Sequence, residues 1–393
     1  MTKQFNKLLA SQLFSSFGST IYTVSIISTV LTGTNSILST SIIPIAMTCG
    51  TVLCGLITPM LVAKYQMIRV LKQSQFLAVL VFICLGLAIQ LDTFSILGLS
   101  GLVCLFSLLT SFMYPLILAL IPEFVSTLDL VKANSLFQTV AQVVNIVSWL
   151  IGASLVVLFS QRTLLLMDTA LFFLSFVCLV GLHSKRPLNN ISEGSWTEFK
   201  KGWDVIREEP VVKLVLVMDV LESIANTAWV SSIILVYVNT FLHKGDQWWG
   251  YINATFFLGC MVGSLLVMAY ETRINKDKSV VIFYGSLFGA IVTFLFSVVS
   301  LPAMSLLLSI SVGLFSQMKN IPQVTVIQQS ITPEKIASVY SASNVICSGV
   351  FSLSLTILSM LADKVGVNSV FIVSSFCLFI VTAITKKYAH YFR

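Results

Sequence analysis

Residues 280–300 read VVIFYGSLFGAIVTFLFSVVS, an unbroken apolar run without a charged side chain. At about 1.5 Å per residue a helix of this length crosses a hydrocarbon core of about 30 Å, and in lipid only a helix satisfies every backbone group within the segment. Eleven similar runs can be drawn around it: 8–31, 40–63, 71–91, 94–121, 135–160, 163–183, 212–241, 249–270, 302–318, 336–361 and 367–385. The chain as a whole agrees, with 56% hydrophobic and 10% charged residues among 393 and a mean hydropathy of +0.95. That leaves too little polar surface to cover a water-soluble globule.

The expected fold is therefore an all-α membrane protein of twelve transmembrane helices in two six-helix pseudo-repeats. Residues 1–183 form an N-terminal six-helix bundle, 184–211 a cytoplasmic linker, and 212–393 a C-terminal six-helix bundle. In the linker, Ser195 and Glu198 form a capping-box pattern, and Trp196, Phe199, Trp203 and Ile206 recur at helical spacing, so an amphipathic helix is expected there. The halves echo each other, with Leu120-Ile121-Pro122-Glu123 after span four and Ile331-Thr332-Pro333-Glu334 after span ten. Six spans plus six around a midplane site is a transporter architecture. Pro44, Pro59 and Pro115 fall inside spans and predict kinks, not breaks.

Orientation follows from the cations, which concentrate on the cytoplasmic side. With the N-terminus inside, only Arg162, Lys244 and Lys364 of the 23 Lys and Arg residues fall outside, and Lys319 is counted in the loop after span ten. Both termini are expected in the cytoplasm of a plasma membrane, in a bacterial protein acting as a monomer. The first run has no small-residue cleavage pattern after it and reads as span one. The net charge of +7 is spread one to three residues per loop, which argues against a nucleic-acid partner. The eight cysteines lie in spans without CxxC spacing, and His183, His243 and His390 are far apart. Neither pattern suggests a metal, cofactor or disulfide site, and no phosphate-binding glycine loop or catalytic constellation is present.

Ionisable groups within spans are functional candidates by default, because burying a charge at the bilayer centre costs a few kcal/mol. Asp219 and Glu222 fall near the middle of span seven at i, i+3 spacing, on one helix face. Two close carboxylates in a low dielectric do not both stay ionised cheaply, so the pair is the candidate proton-coupling site; a buried pair with no transport role is the plain alternative. Ser223, Asn226 and Trp229 continue the stripe. Gln12, Ser16 and Ser19 on span one, with Gln142, Asn145 and Trp149 on span five, add polar stripes with an aromatic. Such surfaces suit an amphipathic small-molecule substrate, although interhelical hydrogen bonding also explains them. Asp168, near Arg162, reads as a structural residue close to the outer end of span six.

Several segments carry a family resemblance. ALIPEFVSTLDLVKANSL (119–136), LLMDTALFFLSF (165–176), FKKGWDVIREEPVVKLVL (199–216) and Leu361-Ala362-Asp363 before Gly366 and Val367 resemble, in order and spacing, the major facilitator superfamily and its macrolide-efflux-like branch of drug:proton antiporters. The resemblance implies a secondary active transporter, not an enzyme, that exchanges protons for an exported drug or self-made metabolite. The chain departs from the family at Lys64-Tyr65, where an Asp-Arg pair is usual, and at Ser148-Trp149, where Gly-Pro is usual. An uncoupled or inward facilitator, and a non-transporting immunity or sensing protein, therefore stay open as alternatives.

Overall fold

The computed structural model describes residues 2–34, 37–90, 96–183, 203–229, 231–245 and 247–392. Among them all regular structure is helical: α1 (Lys3–Thr34), α2 (Ile37–Lys64), α3 (Met67–Gln90), α4 (Ile96–Ser111), α5 (Met113–Phe124), α6 (Leu130–Leu158), α7 (Gln161–Val180), α8 (Pro210–Ala225), α9 (Ser231–Thr240), α10 (Gln247–Ala269), α11 (Glu271–Lys276), α12 (Lys278–Val298), α13 (Pro302–Ser330), α14 (Pro333–Val365) and α15 (Asn368–Lys387). Taking α4 with α5 and α8 with α9 as single crossings, and setting aside the short α11, gives twelve crossings. Eight of them satisfy length and apolarity by themselves. Large apolar side chains such as Leu97, Leu353, Ile357 and Phe376 point outward, as a lipid solvent requires. The capping-box residues Ser195 and Glu198, with Trp196 and Phe199, lie outside the described residues; 203–208 is helical, with Val205 and Ile206 buried.

Local chemistry sets the element boundaries. α2 runs through Pro44 and Pro59 without interruption. At Pro115 the missing N–H leaves the Ser111 carbonyl without its helical donor, and α4 ends there. Phe112 nevertheless keeps right-handed helical angles (φ −63, ψ −24), and Leu116 donates to its carbonyl at 3.3 Å, so the backbone stays helical across the boundary. Pro122 and Glu123 fall within the last turn of α5, whereas Pro333 is the first residue of α14. The sequence echo thus sits at different places in the two helices.

Two expectations for spans seven and ten are corrected. Span seven is not one helix: α8 stops at Ala225, and Asn226–Trp229 form a 3-10 turn before α9. Asn226 and Trp229 therefore do not extend the Asp219 face at α-helical spacing. Span ten does not end at Met318, because α13 continues to Ser330. Lys319 is an interior helix residue, 4% exposed, and not a loop cation.

Two compact units are present. Unit 1 comprises Met1–Ser126, Val147–Trp203 and Pro333–Ala342. Its core is a cluster of Tyr22, Phe82, Phe106 and Phe172 with Ile26, Ile43 and Val103, ring centroids 4.6 to 5.7 Å apart. α1 is fastened to α7 by Ser11 and Ser175, whose hydroxyls lie 2.9 Å apart, and Lys72 donates to the carbonyls of Val180 and Leu182 at the end of α7.

Unit 2 comprises Thr127–Ile146, Asp204–Thr332 and Ser343–Arg393. Tyr237, Phe296 and Phe371 centre its core, and the Tyr237 hydroxyl donates to the Phe296 carbonyl at 2.9 Å. The tightest helix contact is α10 against α13. A Cβ at Gly259 would strike the Ile310 backbone, and one at Gly313 would lie 2.8 Å from the Cys260 nitrogen. Small residues let the two backbones touch.

Candidate functional site

The site grows from two helices of unit 2. Pro210, with its fixed φ and no N–H to satisfy, starts α8, and Asp219 and Glu222 follow about 14 and 18 Å along it at 1.5 Å per residue. Counted back from Ser330, where α13 ends, Lys319 and Gln323 lie about 17 and 11 Å into that helix. The i, i+3 pair on α8 therefore meets the i, i+4 pair on α13 at matching depth, well inside the hydrocarbon thickness.

Lys319 Nζ forms an ion pair with Glu222 Oε2. Gln323 Nε2 donates to Asp219 Oδ1 at 2.7 Å, and the Lys319 charge also acts on Asp219. Glu222 is 8%, Lys319 4% and Gln323 3% exposed. Glu222 Oε1 and Gln323 Oε1 have no hydrogen-bond partner among the described residues. Gly285 of α12 packs against Lys319, whose Cβ and backbone nitrogen both lie 3.0 Å from where a Gly285 Cβ would stand. Two carboxylates and one ammonium leave the cluster one negative charge in excess, a state that water-poor surroundings penalise and one proton relieves.

The other expected residues are placed as follows. On α1, Gln12, Ser16 and Ser19 are half-buried in unit 1, Gln12 donating to the Ser16 hydroxyl at 3.0 Å, while the buried Ser11 faces α7. On α6, Gln142 is buried and Asn145 half-buried, both in unit 2. The side chain of Trp149 lies outside the described residues. Asn226 is exposed on the 3-10 turn. Trp229 stacks on Phe256, centroids 5.6 Å apart, and touches Phe296 and Phe371, so it belongs to the aromatic core as much as to any surface. Asp168 is fully buried, and neither carboxylate oxygen has a hydrogen-bond partner among the described residues. Arg162 is exposed, so the expected Asp168–Arg162 pair does not form.

Reading the sequence missed Lys319 and Gln323. Their signal was the spacing: both fall on one face of a segment that can stay helical up to Pro333. Also missed was a stripe on α14, where Asn344, Ser348, Ser352 and Thr356 recur every fourth residue and are exposed or half-buried. Within it, Ser348 donates to the Asn344 side chain, Ser352 to the Ser348 carbonyl and Thr356 to the Ser352 carbonyl. No group of three or more His, Cys, Asp or Glu suited to a metal occurs among the described residues.

Membrane-crossing helices with a charged cluster at mid-depth and polar stripes along their faces define a carrier of solutes across the bilayer. The chain belongs to the Major Facilitator Superfamily, whose family profile matches residues 8–355. It is 27% identical over 391 residues to the uncharacterized MFS-type transporter YfmI of Bacillus subtilis (strain 168), covering 98% of this chain and 96% of that protein. A second Bacillus subtilis protein, the uncharacterized MFS-type transporter YjbB, is 27% identical over 291 residues, 73% of this chain and 72% of that one. Among solved structures, a bacterial homologue of the iron transporter ferroportin in an outward-facing state superposes with a TM-score of 0.80 at 12% identity, covering 99% of this chain and 100% of that one. The Escherichia coli fucose:proton symporter FucP gives 0.79 at 12% identity, covering 98% of each chain. These structures share the fold. The protein is a multi-pass membrane transporter, not an enzyme.

Proposed function

We propose that the protein is a proton-coupled exporter of an amphipathic small molecule, a drug or a self-made metabolite, and that Asp219 and Glu222 form its proton-coupling site. The observation that carries this reading is the buried cluster in which two carboxylates of α8 share one lysine of α13, a charge balance that a single proton changes. The macrolide-efflux-like resemblance supports the outward direction. Substrate contacts are assigned to the polar stripes of α1, α6 and α14, the 3-10 turn at Asn226 and the edge of Trp229. The carrier works as a monomer in the plasma membrane with both termini in the cytoplasm.

Glu222→Gln keeps shape and hydrogen bonding but removes titration. In inside-out vesicles it stops accumulation driven by a pH gradient while downhill exchange of substrate continues. Asp219→Asn weakens the same gradient-driven step. Undiminished gradient-driven accumulation by the Asp219→Asn, Glu222→Gln double variant excludes the pair as the coupling site and leaves uncoupled facilitation as the reading.

A further inference from the structure

The carboxylate oxygens of the site are not equivalent. Asp219 Oδ1 is occupied by Gln323, and Glu222 Oε2 by Lys319, whereas Glu222 Oε1 is buried and without a partner among the described residues. A proton arriving at the cluster meets a vacant acceptor on Glu222. Lys319 is paired with Glu222, and Asp219 lies one turn away from Glu222 on the same face, held by Gln323 one turn along α13 from Lys319. The ammonium thus has two carboxylates within its field and a direct contact with one.

We infer that Lys319 is a mobile counter-ion whose handover from Glu222 to Asp219 converts proton binding into a change in how α8 and α13 are joined. This rests on the proton-coupling reading only through the shared site. In the step, an O–H bond forms at Glu222 Oε1 and the ionic contact between Lys319 Nζ and Glu222 Oε2 breaks. The ammonium keeps its three protons and moves to Asp219, which Gln323 already holds in place. Before the step the cluster bears one net negative charge; after it, a neutral acid sits beside a balanced ion pair. Lys319 is a positioning residue here, and Glu222 the proton acceptor.

The surroundings add little competing charge. α12 presents the bare Gly285 to Lys319. α14 brings Cys347 beside Ser223 and Asp219. Cys260 of α10 is engaged by Gln317. α15, packed on α8, carries Cys377, with Lys386 and Lys387 in its last turn, and on α8 itself Lys213 lies in the first turn.

The test needs no substrate. In infrared difference spectra of the reconstituted full-length protein between alkaline and acidic pH, a carboxylic-acid carbonyl band at the high frequency of a carboxyl shielded from water, resolved from that of the exposed carboxylates, grows as the pH falls. It is absent in Glu222→Gln. It persists in Asp219→Asn with its midpoint at lower pH, because Lys319 has no second carboxylate to receive it. In Lys319→Met the midpoint moves up by about one pH unit or more, whereas Lys319→Arg keeps it within about half a unit. A band that survives Glu222→Gln, or a midpoint unmoved by Asp219→Asn or by Lys319→Met, overturns the handover. If Lys319→Met does not fold, the charge-balanced Asp219→Asn, Lys319→Met variant replaces it: its midpoint lies above that of Asp219→Asn alone, and an equal midpoint overturns the proposal. The two readings fail separately. Loss of the band with retained gradient-driven accumulation in Glu222→Gln removes the coupling role and leaves the handover standing. A coupling defect with the band intact does the reverse.

Discussion

At the scale of single residues, the three carboxylates within the spans behave differently because their neighbours differ. Asp219 and Glu222 have a lysine and a glutamine across the helix interface, whereas Asp168 has no hydrogen-bond partner on either oxygen, and the nearby Tyr22 hydroxyl also has none among the described residues. A buried polar group without a partner costs on the order of 1–3 kcal/mol. Asp168→Leu, which replaces the unpartnered oxygens with apolar atoms at similar size, therefore raises the thermal midpoint of the purified protein. A fall of several degrees would show that the carboxylate has a partner after all. For Lys319 the expectation is opposite. Removing one member of a buried ion pair strands the other, at a cost of about 3–5 kcal/mol. Lys319→Met should lose that stability, and Lys319→Met with Glu222→Gln should recover most of it, read as a double-mutant cycle on thermal midpoints.

At the scale of elements, the position of Lys319 depends on α13, and α13 is held by its glycine contact with α10. Gly313 lies against the Phe256 carbonyl and the Cys260 nitrogen, so the obstruction is backbone and cannot turn aside. Gly313→Val forces the helices apart and costs about 1–3 kcal/mol as overpacking. The same displacement withdraws Lys319 from α8, so the variant weakens gradient-driven transport even where it folds. Substitution at Gly101, where a Cβ meets nothing within 4 Å, is the control. Equal stability of the Gly313 and Gly101 variants would refute a close α10–α13 contact. The element boundaries were only partly legible from sequence. Pro115 announced its effect, since proline lacks a donor wherever it stands. The 3-10 turn at 226–229 had no such mark: Asn226-Thr227-Ala228-Trp229 contains neither proline nor glycine, and Ala228 and Trp229 are drawn into the aromatic core.

At the scale of the whole molecule, the proposed topology of twelve crossings has both ends of the chain on one side. Reporters fused after Arg186 and at Lys244 should fall on opposite sides of the membrane, the first cytoplasmic; the same side for both refutes the count. Cysteine scanning of α14 separates its faces. Positions 344, 352 and 356 react with a water-soluble maleimide, as cavity walls do, while 341 and 354, both buried, stay protected. Equal labelling of both sets would remove α14 from the substrate path. Gln12, Ser16 and Ser19 are expected to label with the first group.

The sequence by itself determined that the chain lives in lipid, crosses it about twelve times and has the composition and motif order of a major facilitator transporter. Apolar length is a local property, and the bilayer reads it locally. It also located Asp219 and Glu222, because their spacing on one helix is local too. Only the tertiary structure decided what those carboxylates face. Gln323 lies 104 positions from Asp219, and the i, i+4 spacing of Lys319 and Gln323 on a segment that can stay helical does not say which distant group they face. The free energy that keeps Lys319 inside the bilayer belongs to the pair, and the pair exists only once α8 and α13 have packed.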